Sequence, residues 1–470
     1  MSTRPAPLLL RGGTSPDAVA GLRAALASLL DRDTTGPGPS AVAIEGSAAS
    51  YPLLVPISPQ EDEALVRADL ARRLDPAGPA SRADILLRTS GSTTGTGSLI
   101  AMSAPALVAS ARATHARLSG PGTWVLALPA HHVAGLQVLV RSLVAGTEPV
   151  VVDTTGGFRA TALTGGLAGA LATSSRPVYL SLVPTQLLRA LADPDCARAL
   201  ARTSAVLLGG AAADPVLLAR ARSAGVPVVT TYGMSETGGG CVYDGAPLDG
   251  VTVTIEEPDA TGAGRIALAG PVLALGYAHR TLPGDPAPAS RFAARDGRPL
   301  LLTSDRGRLD GDGRLIVLGR LDDVIISGGI KVDPREVEAA LLRIPGVGEA
   351  CVVGIPDTRW GSAVAAAVVP APSWDDGGLD AQSLRSAARA ALPGPRRPSA
   401  SSSCPNCPSE ASASPTGAPS PSSWPAPAGR RPPEQATDPD QQAGPGRSPP
   451  AGSPRAARPP WERTAARDRL

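Results

Sequence analysis

Three polar, glycine-bearing segments and one isolated lysine hold the residues of this chain that could do chemistry. TSGSTTGTGS (89–98) follows the apolar run Ile85-Leu86-Leu87. Gly, Ser and Thr packed this tightly offer backbone N–H groups and hydroxyls with little steric cover, which suits a phosphate cradle. It is not a Walker A loop, which needs a Lys that is absent here, and a flexible linker has similar composition. YGMSETGGG (232–240) follows the β-rich run VPVVTT. A Tyr at a strand end can lie flat on a purine, and the Glu236 carboxylate can hold a divalent cation. An ordinary turn with a helix cap is the alternative. Residues 303–323 hold Asp305, a D-G-D-G hairpin turn, Arg320 and Asp322. A carboxylate placed like Asp305 can accept both ribose hydroxyls, though an isolated Asp is more often a solvated turn residue. Of 44 Lys and Arg residues, Lys331 is the single lysine, and the scattered arginines do not outline a nucleic-acid surface.

Elements of definite period must position these segments. Residues 17–30 and 61–74 have the apolar spacing of helices. DTTGPGPS (33–40) reads as a loop and AVAIEG (41–46) as a strand. From Ile85, short β-rich runs alternate with Ala/Leu-rich stretches. WVLALPA (124–130), PVVVD (149–153), VYLSLVP (178–184), AVLLGG (205–210) and VPVVTTYG (226–233) are predicted strands; 103–118, 134–145, 185–192 and 215–224 are predicted helices. Strands that are apolar throughout are those covered by helices on both faces. The expected fold class is α/β, with mixed sheets flanked by helices in a large N-terminal domain, 1–320. VTVTIEE and GRIALAGP, within 251–271, look antiparallel. A smaller α+β domain is expected over 321–398. The tail, 399–470, is rich in Pro, Ser, Ala and Arg. It has no Val, Ile, Met, Phe, Tyr, His or Lys, and its one Leu is Leu470. Such a segment cannot bury enough apolar surface to offset the entropy of ordering, so disorder is expected there.

Apolar residues are 43% and charged residues 18%, which is enough to build a sizeable core. A formal net charge of +2 gives no reason to expect a nucleic-acid partner. No apolar stretch reaches the roughly 18 residues of a membrane span. The start, MSTRPAPLLLRGG, has too short an apolar run for a secretory signal. A cytoplasmic protein is expected. Cys196, Cys241 and Cys351 are too dispersed for a disulfide framework. Cys404 and Cys407 form half of a zinc site, with no second pair or nearby His.

Together the motifs say more than each alone. The order TSGSTTGTGS, LLGGAA, YGMSET, TSDRGRL, GRLDDVIISGGIKVDPREVE resembles the superfamily of acyl-CoA synthetases, peptide-synthetase adenylation domains and luciferases, over residues 85–370. Within it, LPAHHVAGLQVLVRSL (128–143) and SLVPTQLLRAL (181–191) are most similar to the o-succinylbenzoate–CoA ligases of menaquinone biosynthesis. The resemblance implies an AMP-forming acid–thiol ligase that uses ATP, Mg²⁺ and CoA on a small carboxylic acid. Thr89, Ser90, Gly91, Ser92, Thr93, Thr94 and Gly95 would bind the β- and γ-phosphates. Gly209, Gly210 and Ala211 would line the adenine, and Tyr232 would stack on it, in the turn that continues through Gly233 and Met234. Ser235 and Glu236 would contact the α-phosphate and Mg²⁺. Asp305 and Arg320 would hold the ribose, and Asp322 would be the hinge of the smaller domain. Gly328 and Gly329 would wall the pantetheine channel beside Lys331, and His132 and Thr185 would border the acyl pocket. Glu236, Lys331 and His132 are the candidate catalytic residues. Alternatives are a ligase for another aryl or acyl acid, and a non-catalytic remnant that binds nucleotide.

Two departures stand out. The phosphate loop usually ends with a Lys, where Thr96-Gly97-Ser98 stands here. The superfamily also carries a lysine near its C-terminus, in a phrase like G-K-x-D-R, for the adenylation step, and this tail has none. Ser401 to Pro408 can be written TCG TCG TCC TGC CCG AAC TGC CCC. Joining the last base of each codon to the next two gives Val-Val-Leu-Pro-Glu-Leu-Pro. The same shift across SEASASPTGAPS, with GC-rich codons, gives Leu-Arg-Gly-Val-Gly-Lys-Pro-Asp-Arg-Arg-Ala-Leu. A one-base shift between Pro393 and Ser401 would thus account for the tail, with the lysine falling across Ala413 and Ser414. Adenylation is expected to be impaired.

Overall fold

The computed structural model describes residues 5–34, 51–89, 97–280, 290–321, 323–370, 386–388 and 400–403, all within one compact unit, Met1–Trp424. The predicted strand at 41–46 lies outside the described residues. The first sheet starts with β1 (Leu8–Arg11), β2 (Leu54–Ile57), β3 (Ile85–Arg88) and β4 (Leu99–Met102). The first three are parallel, and β4 returns antiparallel to β3. The second is built on β5 (Thr123–Leu126), β6 (Val150–Val151), β7 (Val178–Leu182), β8 (Ala205–Leu208) and β9 (Val228–Met234), all parallel in the order β9-β8-β7-β5-β6. β10 (Gly239–Tyr243) and β11 (Ala246–Pro247) extend it antiparallel.

Helices cover both faces of this second sheet, as its apolar strands require. Trp124, Leu126, Tyr179 and Leu207 face a core shared with α1 (Pro16–Thr34), α3 (Ala104–Arg117) and α4 (Val133–Ala145). Val125, Val178, Leu180, Val206 and Leu208 face another, closed by α5 (Ala160–Thr173), α6 (Pro184–Ala192), α7 (Pro194–Ala201) and α8 (Pro215–Ser223). The strict alternation of neighbouring residues between two cores is the period of two of an extended chain. On the first sheet, α2 (Glu63–Arg73) buries Val66 and Leu70 against β1–β4.

The third sheet is antiparallel, as anticipated for 251–271: β12 (Thr252–Glu256), β13 (Gly264–Ala269), β16 (Arg298–Leu309) and β15 (Arg291–Arg295), with β17 (Leu315–Arg320) also on β16. Between them β14 (Gly276–Tyr277) crosses back to pair with β4. A fourth sheet holds β18 (Ile325–Ser327), β19 (Ile330–Val332), β20 (Val347–Asp357) and β21 (Gly361–Pro370), packed by α9 (Pro334–Leu341). This is the α+β unit anticipated near residue 322. Its edge is β22 (Ala400–Ser403), parallel to β21, with Ser401 opposite Ala366 and Ser403 opposite Val368. A strand thus forms inside the segment the composition assigned to a disordered tail. Several elements were not anticipated, among them β1, β2, β4, β10, β11, β14, β15, α5 and α7. The described helices include none long and apolar enough to cross a membrane.

Candidate active site

Ligands of open α/β sheets lie beyond the carboxyl ends of the parallel strands. Here β5 runs out to His131 and His132, β7 to Val183 and Thr185, β8 to Gly209, Gly210 and Ala211, and β9 to the turn that carries Tyr232 and Glu236. The structure therefore gathers the predicted adenine and acyl residues, with Ser235 and Glu236, at the carboxyl end of the second sheet, whereas Thr89 follows β3 of the first.

The turn after β9 is held from every side. Ser235–Thr237 forms one short 3₁₀ turn, closed by Gly238 at φ 61°. The Thr237 hydroxyl accepts the Met234 N–H at 2.9 Å and donates to the Gly239 carbonyl at 2.7 Å. From α4, the buried Gln137 amide donates to the Gly238 carbonyl at 2.7 Å. A Cβ on Gly233 would run into the Gly239 carbonyl, so only glycine fits that position. Glu236 receives the Tyr277 hydroxyl at 2.8 Å. Burial pushes its carboxyl above the usual range, and the Tyr277 hydrogen bond partly opposes that.

Asp305 and Arg320 face each other across β16 and β17. The Tyr232 hydroxyl donates to Asp305 Oδ2 at 2.7 Å, joining two motifs 73 residues apart. Burial, then the neighbouring Asp305 charge, holds the Tyr232 phenol well above its ordinary range. A Cβ on Gly209 would run into the Thr231 hydroxyl, and Gly210 has φ 81°, so both glycines are required by the backbone. Thr89 closes the base of the loop predicted to bind phosphate. Its N–H donates to the Ser98 carbonyl at 3.0 Å, and its hydroxyl accepts the Ser98 N–H at 2.7 Å. Arg73 of α2 donates to the Gly97 carbonyl, so a guanidinium sits where the loop has no lysine. Ser90 to Gly95 and Asp322 lie outside the described residues.

His132 is the N-cap of α4, with its ring 4.2 Å from that of His131. Burial lowers both imidazoles, His131 to about 4 with the His132 charge adding to the effect. Both are neutral near pH 7, which suits a wall for an aryl or acyl group better than a fixed cation. A Cβ on Gly12 would lie 2.6 Å from the His131 Cβ, and Ala130 N–H donates to the Gly13 carbonyl at 2.9 Å. The loop after β1 therefore presses the His pair into place. Thr185 is exposed in the first turn of α6, whose start is fixed by Gln186, bonded to Val183 N–H and to the Ala127 carbonyl.

Lys331 stands apart, exposed on the fourth sheet opposite Ile326. Gly328 and Gly329, at φ 58° and 81°, make the two-residue turn between β18 and β19. A Cβ on Gly328 would meet the Trp360 ring at 2.5 Å, and Gly328 N–H donates to the Trp360 carbonyl at 2.9 Å.

Sequence reasoning missed Gln137, Gln186 and Tyr277. In a chain whose aromatic residues are 3% of the total, an isolated Gly-Tyr step was the available signal for Tyr277. Among the described residues there is no group of three or more His, Cys, Asp or Glu arranged to hold a metal ion.

A strand-end glycine turn bonded to a carboxylate on the third sheet, with a small α+β sheet following, is the arrangement expected of an adenylating enzyme. Comparison with known proteins agrees. The AMP-binding enzyme family profile matches residues 39–278, and that of the AMP-binding enzyme C-terminal domain matches 336–413, past the start of the tail. The chain belongs to the AMP-binding enzyme family. It is 43% identical over 322 residues to the probable 2-succinylbenzoate–CoA ligase of Mycobacterium tuberculosis H37Rv, covering 68% of this chain and 78% of that protein. In fold it is similar to the o-succinylbenzoate CoA synthetase of Bacillus subtilis in complex with the acyl-adenylate intermediate OSB-AMP. The TM-score is 0.63 at 23% identity, over 87% of this chain and 86% of that one. It is also similar to the same enzyme in complex with ATP and magnesium ion, with TM-score 0.58 at 22% identity, over 85% and 93%.

Proposed function

We propose that this chain is an ATP-dependent acid–CoA ligase acting on o-succinylbenzoate in menaquinone biosynthesis, in the cytoplasm, with a slowed adenylation step. The Tyr232–Asp305 hydrogen bond is the observation that carries the class, because it brings the adenine and ribose motifs to one place. The acid follows from the 43% identity to a probable 2-succinylbenzoate–CoA ligase and from the neutral His pair where an acyl group would lie.

In the first half-reaction an oxygen of the acid's carboxylate attacks the α-phosphorus of ATP, the bond to the bridging oxygen breaks, and pyrophosphate leaves. Thr89 and its loop would bind the departing phosphates. Gly209 to Ala211 and Tyr232 would hold the adenine, and Asp305 and Arg320 the ribose. His132 and Thr185 would orient the acid. Glu236 is the residue to hold Mg²⁺. A single buried carboxylate without a protein cage fits an ion that takes most of its ligands from phosphates and water. Bound there, Mg²⁺ offsets charge on the phosphate oxygens. In the second half-reaction the CoA thiolate attacks the acyl carbonyl and AMP leaves. Asp322 would turn the smaller unit, and Gly328, Gly329 and Lys331 would line the thiol's path.

The slowed first step rests on the C-terminal stretch. The segment matched to the C-terminal domain, 336–413, has no lysine. Its edge strand β22 reads Ala-Ser-Ser-Ser where the shifted frame reads Val-Val-Leu, residues that favour strands. This supports a frame change near Pro393–Ser401. Separate half-reaction assays test the proposal. We expect the protein to bind a non-hydrolysable ATP analogue and to convert supplied o-succinylbenzoyl-adenylate and CoA to thioester. Acid-dependent pyrophosphate release should be very slow. Asp305→Ala should weaken nucleotide binding by about 1–3 kcal/mol, the scale of a lost charge-assisted set of hydrogen bonds. Folded protein that binds no nucleotide at millimolar concentration, or yields no thioester from the adenylate, would sink the reading.

A further inference from the structure

We propose that Tyr277 is a positioning residue, holding the Glu236 carboxylate in the orientation that receives the nucleotide's divalent cation. The inference rests on the assignment of Mg²⁺ to Glu236 and adds a residue that no motif singled out.

The backbone at Glu236 is already fixed. Its carbonyl accepts the Ala274 N–H at 2.8 Å, and the Thr237 and Gln137 hydrogen bonds lock the turn on either side. What remains free is the side-chain torsion, and Tyr277 sets it through the 2.8 Å bond to Oε1. The phenol cannot easily follow a wandering carboxylate. Tyr277 is registered opposite Ile100 in β14 and β4. Phe292 stands edge-on to its ring at 5.4 Å and 72°, and His279 lies tilted at 5.5 Å. The Ser290 hydroxyl also interacts with the phenol. The ring is thus braced by two aromatic neighbours and a hydroxyl.

A carboxylate offers about four lone-pair directions. Among the described residues Tyr277 takes one of them at Oε1, which leaves directions for a cation. This is the arrangement by which an outer hydrogen-bond partner orients a metal-binding carboxylate, and removal of such partners commonly costs about 10–100-fold in metal affinity. A purely structural role would leave the metal dependence unchanged.

Titration calorimetry with a non-hydrolysable ATP analogue, in Mg²⁺ and in EDTA, separates the two. For Tyr277→Phe, which keeps the packed ring, we expect EDTA affinity within about twofold of wild type and an apparent Mg²⁺ affinity about tenfold weaker or more. Unchanged Mg²⁺ dependence, or an equal loss in EDTA, overturns the inference. Glu236→Gln is the second arm. If it loses the Mg²⁺ gain while Tyr277→Phe keeps it, the inference fails and the metal assignment stands. If Glu236→Gln keeps the gain, both fall.

Discussion

The two glycine turns proposed to serve function differ in how they are held. In the large region the Tyr232–Gly239 turn is closed from within by Thr237 and gripped from outside by Gln137 of α4, Tyr277 of β14 and Ala274 of the loop before β14. In the smaller region the Gly328–Gly329 turn projects outward between exposed Ile326 and Ile330, braced by Trp360, which is itself 48% exposed. The sheet behind it is closed by a strand of Ala and Ser. On the proposed reading, the grip on nucleotide therefore belongs to the large region. On the same reading, a frame change in the last part of the gene would bear on adenylation, the half-reaction expected to draw a cation from the C-terminal stretch.

The sharpest way to break that comparison is to restore one base before Ser401. The restored chain would carry Val-Gly-Lys-Pro-Asp-Arg and a Val-Val-Leu edge strand. Acid-dependent pyrophosphate release should rise about 10²–10³-fold, the cost of one missing preorganised charge. Changing the restored lysine to Ala should remove the gain. Thioester formation from supplied adenylate should change far less. If both chains release pyrophosphate at similar rates, the missing lysine is not what separates the two regions.

Glycine substitutions probe the same contrast at smaller scale. Gly233→Ala forces a Cβ into the Gly239 carbonyl and should cost about 1–3 kcal/mol of stability, with loss of nucleotide binding. At Gly329 a Cβ meets nothing within 4 Å, and its φ of 81° is the only obstacle. Gly329→Ala should cost about 1–2 kcal/mol in the turn alone and leave nucleotide binding intact. Denaturant unfolding together with calorimetry distinguishes them. Equal effects on nucleotide binding would show the two turns to be coupled.

How far the sequence revealed all this depended on how local each constraint is. YGMSET stood out because glycines and hydroxyls at a strand end answer to the backbone beside them, and the structure joins it to Asp305 through Tyr232; Ser90 to Thr96 lie outside the described residues. The two-faced burial of the second sheet was legible from runs such as VYLSL. Helix α5 was not. Gly165, Gly166 and Gly169 lower its helix propensity, and it forms because Leu163, Leu167 and Ala170 bury on the sheet, with Gly166 allowing close approach to Val152. Gln137 and Tyr277 were invisible for a different reason. Their partners lie 101 and 41 residues away, and no local pattern encodes a hydrogen bond across that distance. β22 was missed because composition reports the balance of a long segment, whereas pairing with β21 concerns four residues of it.

Acidification gives a further separation. His115 in α3 accepts the Trp124 indole N–H at its Nε2, 3.2 Å away, so it must be unprotonated there. Burial, with Arg141 nearby, lowers it to about 4. Its folded pKa lies below its unfolded one, so the unfolded chain binds the extra proton between pH 6.5 and 4. Its contribution is present above pH 6.5 and is lost as pH falls through that window, by at most about 3 kcal/mol. His115→Gln should flatten that part of the stability profile. An unchanged slope in the variant would assign the titration elsewhere.

The smallest effect is expected in the smaller region, with the opposite sign. Glu338 of α9 accepts the Val352 N–H at 2.8 Å, which ties the helix to β20. Burial raises its carboxyl above the ordinary range, ahead of any help from that hydrogen bond or Arg335. Its folded pKa therefore lies above its unfolded one. The folded state holds the proton longer, so this contribution is complete below the unfolded pKa and is lost as pH rises through the folded one. Around neutrality the half-buried charge is a burden on the smaller region. Glu338→Gln keeps an acceptor for Val352 and removes the charge, so it should stabilise the smaller region slightly at pH 7, by less than about 1 kcal/mol. Hydrogen exchange at β20 amides, compared between variant and parent at one pH, reads this without reference to the large region. Faster exchange in the variant would mean that the carboxylate's charge, and not merely its oxygen, holds α9 to the sheet. The two regions would then share their response to pH rather than oppose it.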